Sequence, residues 1–400
     1  MIIKRKCWTK RVCCRKALQI FKILCLVQCV VVTILYLVIF YEDSNDVQNQ
    51  IIETFNSEQP YLTTFDKMTF SNQSEKTVAV WTTFFRSHSW LHNINSAFLS
   101  CTHKCRAVNE KGALYSDALL FHYQRYDLHV HQLPKRNPDQ IWIIYLMEPT
   151  IYIERNVVEL NSVFNWTMSY RRDSTVYAPY GSFIRRRSDT ETKPFLNRTK
   201  FAFAVFSRCD DFGKRYRIVR ELQKYVNIDV YGSCGHLKCD VRSQGCLSTE
   251  KAQDYLFKLS FENSHCKDYV TEKLWFSLKQ GVVPVVNWVK GQEETRVNSS
   301  HVINLYDFHT IKDLAKYLKS VAANQSLYNS YLTWRHELDV ETSHFHSFCN
   351  LCQKLHQSTV RRQVYSKFSG WVTNDVCPKY KFVQKIRAWI DRWILFPIGL

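Results

Sequence analysis

The residues with the clearest chemical potential lie in one stretch, 261–288, which reads FENSHCKDYVTEKLWFSLKQGVVPVVNW. An apolar strand is predicted to end at Phe261, and after a polar loop a helix is predicted over 268–280. Such a loop binds anions well, because the free N–H groups and the dipole of a helix N-terminus both favour negative charge. Lys273 would add a positive charge for a phosphate, and Glu272 could accept hydrogen bonds from ribose hydroxyls. An ordinary capped surface helix with an acid–base pair would explain the same residues.

Two series of alternating strands and helices contain this stretch. The first has apolar runs at 77–84, 118–123 and 141–147, and the second starts at Phe201 with FAFAVF and continues through IDVYG to VVPVVNW. Runs that are apolar throughout are typical of parallel strands covered on both faces. We therefore predict an α/β fold of two Rossmann-like lobes facing across a cleft, with ligands at the carboxyl ends of the strands.

Composition supports a folded body and excludes several classes of protein. Of the 400 residues, 46% are apolar and 22% are charged, which rules out general disorder. The ten glycines form neither of the common glycine-rich phosphate loops. The net charge is +18, but eight of the basic residues lie in the first 22 positions, so nucleic acid is not a predicted partner.

The N-terminus predicts a membrane anchor. Residues 1–22 form a basic tail without acids, and residues 23–41 form an uncharged run close to the length that spans a bilayer. A cleavable signal peptide would have a shorter run and a small-residue cleavage site. Basic residues before the run and acids after it predict a cytosolic N-terminus and a lumenal body.

The rest of the chain divides into four predicted parts. A polar stem covers 42–76, the first lobe 77–180 and the second lobe 181–380. Residues 381–400 carry an apolar helical stripe among basic residues, and this tail could pack on the body or lie on the membrane.

The stretch 261–288 closely resembles the signature of the α1,3-fucosyltransferase family, Golgi enzymes that depend on GDP-fucose. That signature runs F-E-N-S, then D-Y-[IV]-T-E-K, then G-x-V-P-V-V. Further blocks follow the family's order: SDALLFHYQRYDL (116–128), IWIIYLMEPT (141–150), FNWTMSYRRDS (164–174) with PYG (179–181), and KRYRIVRELQKY with DVYGSCG (214–235). The resemblance covers roughly residues 77–380. It implies GT-B architecture, in which the first lobe binds the acceptor and the second binds GDP-fucose.

The resemblance also implies a reaction. L-Fucose would pass with inversion from GDP-β-L-fucose to the 3-hydroxyl of N-acetylglucosamine in a glycoprotein glycan. Distal N-acetyllactosamine and the N-glycan core are both open as acceptors. The alternative is a catalytically weak or inactive membrane-anchored protein that binds glycans or nucleotides on the same fold. The implied location is the Golgi membrane, with a single-pass type II topology and a lumenal body.

By motif position, the resemblance assigns roles to individual residues. Glu148 is the implied general base for the acceptor hydroxyl, and it directly follows a predicted buried strand. The family usually reads M-E-S-P here, whereas this chain has Pro149 and Thr150 after Glu148, so the local turn is expected to differ. The implied donor contacts are Arg215 and Lys273 at the diphosphate, Asn263, Tyr269 and Glu272 at GDP, and Tyr170 and Arg171 between the lobes. For the last two, a solvated surface position is the alternative.

The predicted diphosphate site relies on protein cations. The chain contains no Asp-x-Asp pair, which many sugar-nucleotide transferases use to hold a divalent ion. Arg and Lys at a helix N-terminus can supply the positive charge instead. We expect no required cofactor or metal, with a divalent cation at most stimulatory.

Two further features favour an oxidising compartment. Ten of the 15 cysteines follow the predicted anchor, an even number, as a disulfide framework requires. The C-x-x-C at Cys349 and Cys352 has nearby histidines, so a zinc site is conceivable, but we favour disulfides from this pair to Cys101 and Cys105 respectively. Candidate N-glycosylation sequons lie at Asn72, Asn165, Asn197, Asn298 and Asn324.

Overall fold

The computed structural model describes residues 63–68, 75–84, 87, 89–123, 133–153, 155–186, 197–209, 212–239, 246–289, 292, 297–357, 360–374 and 376–378. The predicted basic tail, the predicted anchor at 23–41, the C-terminal tail and Asn72 lie outside these residues. No helix within the described part of the chain combines the length and the apolar character that crossing a membrane requires.

A parallel sheet of six strands forms the core of the first lobe. After β1 (Thr63–Met68), the sheet contains β2 (Lys76–Val80), β3 (Cys105–Val108), β4 (Ala118–His122), β5 (Ile141–Leu146), β6 (Trp166–Ser169) and β7 (Val176–Tyr177). Their spatial order is β3-β2-β4-β5-β6-β7, and every neighbouring pair is parallel.

A second parallel sheet of five strands forms the core of the second lobe. The chain passes through β8 (Ser182–Arg185) and then forms β9 (Lys200–Val205), β10 (Ile228–Tyr231), β11 (Tyr255–Leu259), β12 (Val283–Val286) and β13 (Ile303–Asn304). Their spatial order is β10-β9-β11-β12-β13. The chain continues through β14 (Leu338–Glu341) and ends its described strands with β15 (Val360–Val364).

Eight α-helices accompany these strands within the described residues. They are α1 (Trp90–Phe98), α2 (Arg215–Leu222), α3 (Thr249–Ala252), α4 (Glu272–Lys279), α5 (Ile311–Ala323), α6 (Gln325–Ser330), α7 (Phe348–Leu355) and α8 (Phe368–Thr373).

Both sheets share one strand order, although the sequence shows no internal repeat. In each sheet the second strand lies at the edge, the first lies beside it, and the third, fourth and fifth follow on the other side. The direction of winding therefore reverses between β2 and β4 and again between β9 and β11. This arrangement confirms the predicted α/β fold of two Rossmann-like lobes, and ligands bind at such reversal points.

Helices from both ends of the body cover the first sheet. On one face α1 packs through Ile94 and Phe98, and α7 packs beside it through Phe348 and Leu351. On the other face α8 packs through Trp371. Helices α7 and α8, which lie within the predicted second lobe (181–380), therefore belong to the core of the first lobe.

The return of the chain to the first lobe explains why the predicted extent of the second lobe, 181–380, is wrong. Strands β8 and β14 pair antiparallel, with Ser182 opposite Glu341, so the outgoing and returning segments run side by side, and they pack against α4. Linear order shows only where the chain leaves the first lobe. The predicted stem also contributes structure, because β1 pairs antiparallel with β15.

Five disulfides join all ten cysteines that follow the predicted anchor. Cys101 is bonded to Cys349 and Cys105 to Cys352, which is the expected pairing. The other pairs are Cys209–Cys234, Cys239–Cys246 and Cys266–Cys377. The zinc alternative is therefore excluded, because both sulfurs of the C-x-x-C are bonded to other cysteines.

The described sequons differ in accessibility. Asn165 is only 6% exposed, and its side chain accepts from the backbone N–H of Trp142 at 2.9 Å and donates to the carbonyl of Gln363 at 2.8 Å. A glycan cannot be accommodated there in the folded protein, so this candidate is wrong. The asparagines of the other three described sequons are exposed: Asn197, Asn298 and Asn324.

Lys258 is an unusual residue in the middle of β11. It is 3% exposed, and its Nζ lies over the rings of Phe203 and Phe276, at 5.6 and 5.8 Å from their centroids. Within the described residues no hydrogen bond or ion pair compensates its charge. Burial lowers the pKa of Lys258 from 10.5 to about 7.

We predict that Lys258→Met stabilises the protein in a pH-dependent manner. Below about pH 7 the lysine must be buried as a cation, and removing it should raise the free energy of unfolding by roughly 2–5 kcal/mol. Between pH 7 and 10.5 the folded state holds the neutral amine while the unfolded state stays protonated, so the advantage of the variant should shrink steadily. Denaturant unfolding from pH 6 to 10 measures this difference, with exposed Lys319→Met as control. A difference independent of pH would contradict the prediction.

Candidate active site at the lobe junction

Arg215 connects the two strand ends that flank the reversal point of the second sheet. It is the first residue of α2 and is 3% exposed. Its Nη1 lies 3.4 Å from the carbonyl of Phe261, which follows β11, and its Nη2 lies 3.3 Å from the carbonyl of Arg208, which follows β9. The side chain predicted to contact a diphosphate thus lies where parallel sheets bind their ligands.

Lys273 lies close by, in the first turn of α4, and is held by three side chains. Its Nζ donates to Thr271 Oγ1 at 2.6 Å and contacts carboxylate oxygens of Glu262 at 3.1 Å and Glu272 at 3.2 Å. Burial alone would lower the pKa of Lys273, but the two carboxylates outweigh it and raise the pKa. Arg215 is near enough for its charge to oppose this increase. Two cations therefore share this site.

Glu262 is the more firmly held partner of Lys273, although it is not among the site residues predicted from the sequence. It is fully buried, and its carboxylate accepts from the backbone N–H of Thr271 at 2.7 Å and from the Thr271 hydroxyl at 2.9 Å. Burial raises the pKa of Glu262, although Lys273 opposes this effect. The FENS motif contains this carboxylate, but an acid directly after an apolar strand gives no sign that it will be buried against a lysine.

Glu272 is the more exposed partner. Its side chain is 42% exposed, compared with none for that of Glu262. Burial tends to raise the pKa of Glu272, but Lys273 and hydrogen bonds from its own backbone N–H and from Thr271 lower it overall. Glu272 therefore stays ionised at the cleft surface.

Glu148 faces this cluster from the first lobe. It follows β5 by two residues and is exposed at the cleft surface, yet protein surrounds it closely enough for desolvation to raise its pKa. Four charged residues of the second lobe also act on this pKa: Lys273 and Arg208 lower it, while Glu272 and Glu262 raise it. The structure thus brings the predicted base to the predicted diphosphate residues across the cleft.

Three tyrosines pack together between the lobes beside Glu148. The ring centroid of Tyr269 lies 5.0 Å from that of Tyr170 and 6.4 Å from that of Tyr180. Tyr180 donates to the carbonyl of Met147 at 2.6 Å, which fixes the backbone just before Glu148. Tyr269 belongs to the core of the first lobe although its chain segment starts in the second. Burial and the neighbouring Glu148 raise the pKa values of Tyr180 and Tyr269, so both phenols stay protonated.

Tyr170 and Arg171, the predicted donor contacts between the lobes, are both buried. Arg171 is 3% exposed, donates from Nε to Asp173 Oδ1 at 2.9 Å, and stacks on Trp371 at 4.1 Å. It anchors α8 to the first lobe, so the alternative of a solvated position is wrong, and its donor role stays a prediction. Tyr170 is 1% exposed, and its buried hydroxyl has no hydrogen-bond partner among the described residues. Asn263 is half-buried beside the site and accepts from the backbone N–H of Gly213 through its carbonyl at 2.8 Å.

The helix of the anion site begins later than predicted. Helix α4 starts at Glu272, not near 268, because Asp268 adopts a left-handed conformation with φ of 59° that a right-handed helix cannot contain. The delay places Glu272 and Lys273 in the first turn, where free N–H groups and the dipole favour an anion.

The arrangement combines binding and proton transfer. Arg215, Lys273 and Arg208 supply positive charge at the reversal point, and Glu148 presents a carboxylate with a raised pKa from the opposite lobe. Such a cleft can hold a diphosphate on one side and deprotonate a hydroxyl on the other.

Known proteins are similar in sequence to this chain over most of its length. Residues 73–181 match the family model described as "Fucosyltransferase, N-terminal", and residues 195–371 match "Glycosyltransferase family 10 (fucosyltransferase) C-term". Alpha-(1,3)-fucosyltransferase C of Drosophila melanogaster is 30% identical over 339 residues, which cover 76% of this chain and 79% of that protein. Alpha-(1,3)-fucosyltransferase 7 of Bos taurus is 33% identical over 276 residues, which cover 67% of this chain and 78% of that protein.

A crystal structure of an α1,3-fucosyltransferase with GDP-fucose aligns with a TM-score of 0.45 and 16% identity, over 72% of this chain and 87% of that one. The matches to the two family models and to the two relatives carry the assignment. The chain belongs to the α1,3-fucosyltransferases of glycosyltransferase family 10.

Proposed function

We propose that this enzyme transfers L-fucose from GDP-β-L-fucose to the 3-hydroxyl of N-acetylglucosamine in a glycoprotein glycan, with inversion at the fucose carbon. The observation that carries this proposal is the proximity of Glu148 on the first lobe to Lys273 on the second, which is close enough for the charge of Lys273 to lower the pKa of Glu148. A single displacement needs a base on one side of the sugar and a stabilised leaving group on the other, and the two lobes supply these groups separately.

Each step of the reaction has a residue in this proposal. Glu148 takes the proton of the acceptor hydroxyl while the hydroxyl oxygen bonds to C1 of fucose. The bond from C1 to the β-phosphate oxygen breaks, and the electron pair leaves with GDP. Arg215 and Lys273 stabilise the charge that develops on the diphosphate. A base whose pKa is raised by desolvation accepts this proton more readily near neutral pH.

The diphosphate has to compete for Lys273, because carboxylates already contact its ammonium. The Glu272 side chain is partly exposed and can turn toward ribose hydroxyls, whereas Glu262 is fully buried and held by Thr271. We assign the exchangeable contact to Glu272 and the permanent one to Glu262. Asn263 and Tyr269 remain proposed contacts for GDP, as neighbours of this carboxylate pair in sequence.

The acceptor is proposed as a class. The names of the relatives specify α-(1,3) transfer, which supports the 3-hydroxyl. Distal N-acetyllactosamine and the N-glycan core both present such a hydroxyl. Transfer assays with GDP-fucose and a panel of defined glycans of both kinds separate the two acceptors.

Glu148→Gln should lower transfer by roughly 10² or more, because the amide keeps size and hydrogen bonding but cannot take a proton. GDP binding should be nearly unchanged, since Glu148 belongs to the lobe opposite the nucleotide residues. The acid limb of the kcat/KM profile of the wild type should also disappear in the variant. Transfer kinetics beside calorimetry with GDP measure both effects. Weakened GDP binding with intact transfer would place Glu148 in the donor site and refute its role as base.

Removing the Lys273 charge should lower kcat/KM by roughly 10²–10³, the usual loss for one contact to a developing anion. Lys273→Ala alone would leave Glu262 buried without its cation, so Glu262→Gln/Lys273→Ala should be compared with Glu262→Gln. Lys279→Ala, at the exposed end of α4, is the control. Equal kinetics in the single and double variants would disprove the diphosphate role.

Because protein cations serve this role, the proposal requires no divalent ion, and transfer should persist in excess chelator.

We also propose a Golgi membrane location with single-pass type II topology. The basic flank and apolar run at the N-terminus support it, and so do the five disulfides, which form in oxidising compartments. In sealed Golgi vesicles the body should resist added protease until detergent is present. Digestion of the body in intact vesicles would contradict the proposed orientation.

A further inference from the structure

Four consecutive residues of the second-lobe loop, 266–269, each contact the first lobe. We propose that this segment, the interlobe clamp, is the positioning device of the enzyme: it sets the distance between Glu148 on one lobe and the diphosphate residues on the other. The inference rests on the proposed function, because the distance matters only if the base and the donor belong to different lobes.

The four contacts are of different kinds. Cys266 is bonded to Cys377, and the backbone N–H of Lys267 donates to the carbonyl of Val376 at 2.7 Å. Asp268 pairs with Arg172, and Tyr269 packs on Tyr170. A covalent bond, a backbone hydrogen bond, an ion pair and a ring contact therefore secure one short segment.

The Asp268–Arg172 pair is a buried-carboxylate ion pair with several hydrogen bonds. The Asp268 side chain is 3% exposed and accepts from the backbone N–H of Arg172 at 3.1 Å and from its Nε at 2.7 Å. The guanidinium Nη2 donates to the same carboxylate. Asp268 also has the positive φ of 59° that most side chains avoid. A strained conformation persists where surrounding contacts require it, and here those contacts come from the other lobe.

The clamp lies next to both halves of the site. On the second lobe, Glu272 and Lys273 follow Tyr269 by three and four residues. On the first lobe, the hydroxyl of Thr150 contacts Cys377 Sγ at 3.1 Å, and Thr150 follows Glu148 by two residues. The path from the base to the diphosphate lysine therefore runs through the disulfide and the clamp residues, with no long flexible segment between them.

This placement predicts a separation between binding and transfer. The proposed diphosphate contacts Arg215 and Lys273, together with Glu272, belong to the second lobe, so the charged contacts that hold GDP should persist even when the lobes lose their alignment, whatever Tyr269 contributes. Transfer needs Glu148 at the correct distance, and small misplacements of a catalytic group reduce rates strongly. A loosened clamp should therefore lower kcat with little change in the dissociation constant for GDP.

The test uses Asp268→Asn in the full-length protein. Asparagine tolerates a positive φ and can still accept the backbone N–H of Arg172, so the loop should keep its shape while the ion pair is lost. We expect kcat to fall roughly 10-fold or more and GDP affinity to stay within about 2-fold. Glu221→Gln is the matched control, because it removes an exposed ion pair with Lys224 in the same lobe.

Two further variants keep the proposal testable if Asp268→Asn folds poorly. Arg172→Lys keeps the charge but loses the Nε contact, and Cys266→Ser/Cys377→Ser removes only the covalent link. Each should lower kcat while GDP binding is retained, as measured by calorimetry. Wild-type kcat in all folded variants, or a parallel loss of GDP binding and transfer, would overturn the proposal. Normal transfer by Glu148→Gln would refute the proposed base and not the clamp. The clamp is tested separately, by comparing kcat with GDP affinity in the clamp variants.

Discussion

The contact between buried Glu262 and Lys273 is the interaction on which the organisation of the site depends. A fully buried carboxylate is costly unless a cation and hydrogen bonds compensate it, and Lys273 with Thr271 provides both. The same contacts hold the first turn of α4 at the end of β11. The lysine is thus positioned by the requirement to neutralise a buried acid, while part of its side chain stays exposed.

The two lobes have the same strand order but contribute different charged groups to the site. Both sheets reverse their winding at the same place in the strand order, so each presents loops at the carboxyl ends of its central strands. In the second lobe Arg215 spans this reversal point, and cations accumulate there. In the first lobe the strand end carries Glu148. Two lobes of similar topology therefore yield an asymmetric junction, with cations on one lobe and the Glu148 carboxylate on the other.

The described segment after β14 ties the lobes together. After β14 the chain returns to the first lobe, where α7 and α8 complete both faces of the first sheet. Two disulfides bind α7 to the region around β3, and a third joins Cys377 to the loop that leads into α4. The described body is therefore closed by links between residues that are far apart in sequence, and the Cys266–Cys377 link lies beside the candidate site.

The sequence by itself determined the local elements and the residue types of the site. Apolar runs specified the parallel strands, the even cysteine count pointed to disulfides, and the motifs identified Glu148 and Lys273. Tertiary structure decided the rest, because it depends on which distant segments meet. It placed α7, α8 and Cys377 on the first lobe. It also buried Arg171 and Asn165, and it delayed α4 to Glu272 through the contact of Asp268 with Arg172. A sequence pattern reports periodicity within one segment, whereas burial and ion pairing depend on the segment packed against it.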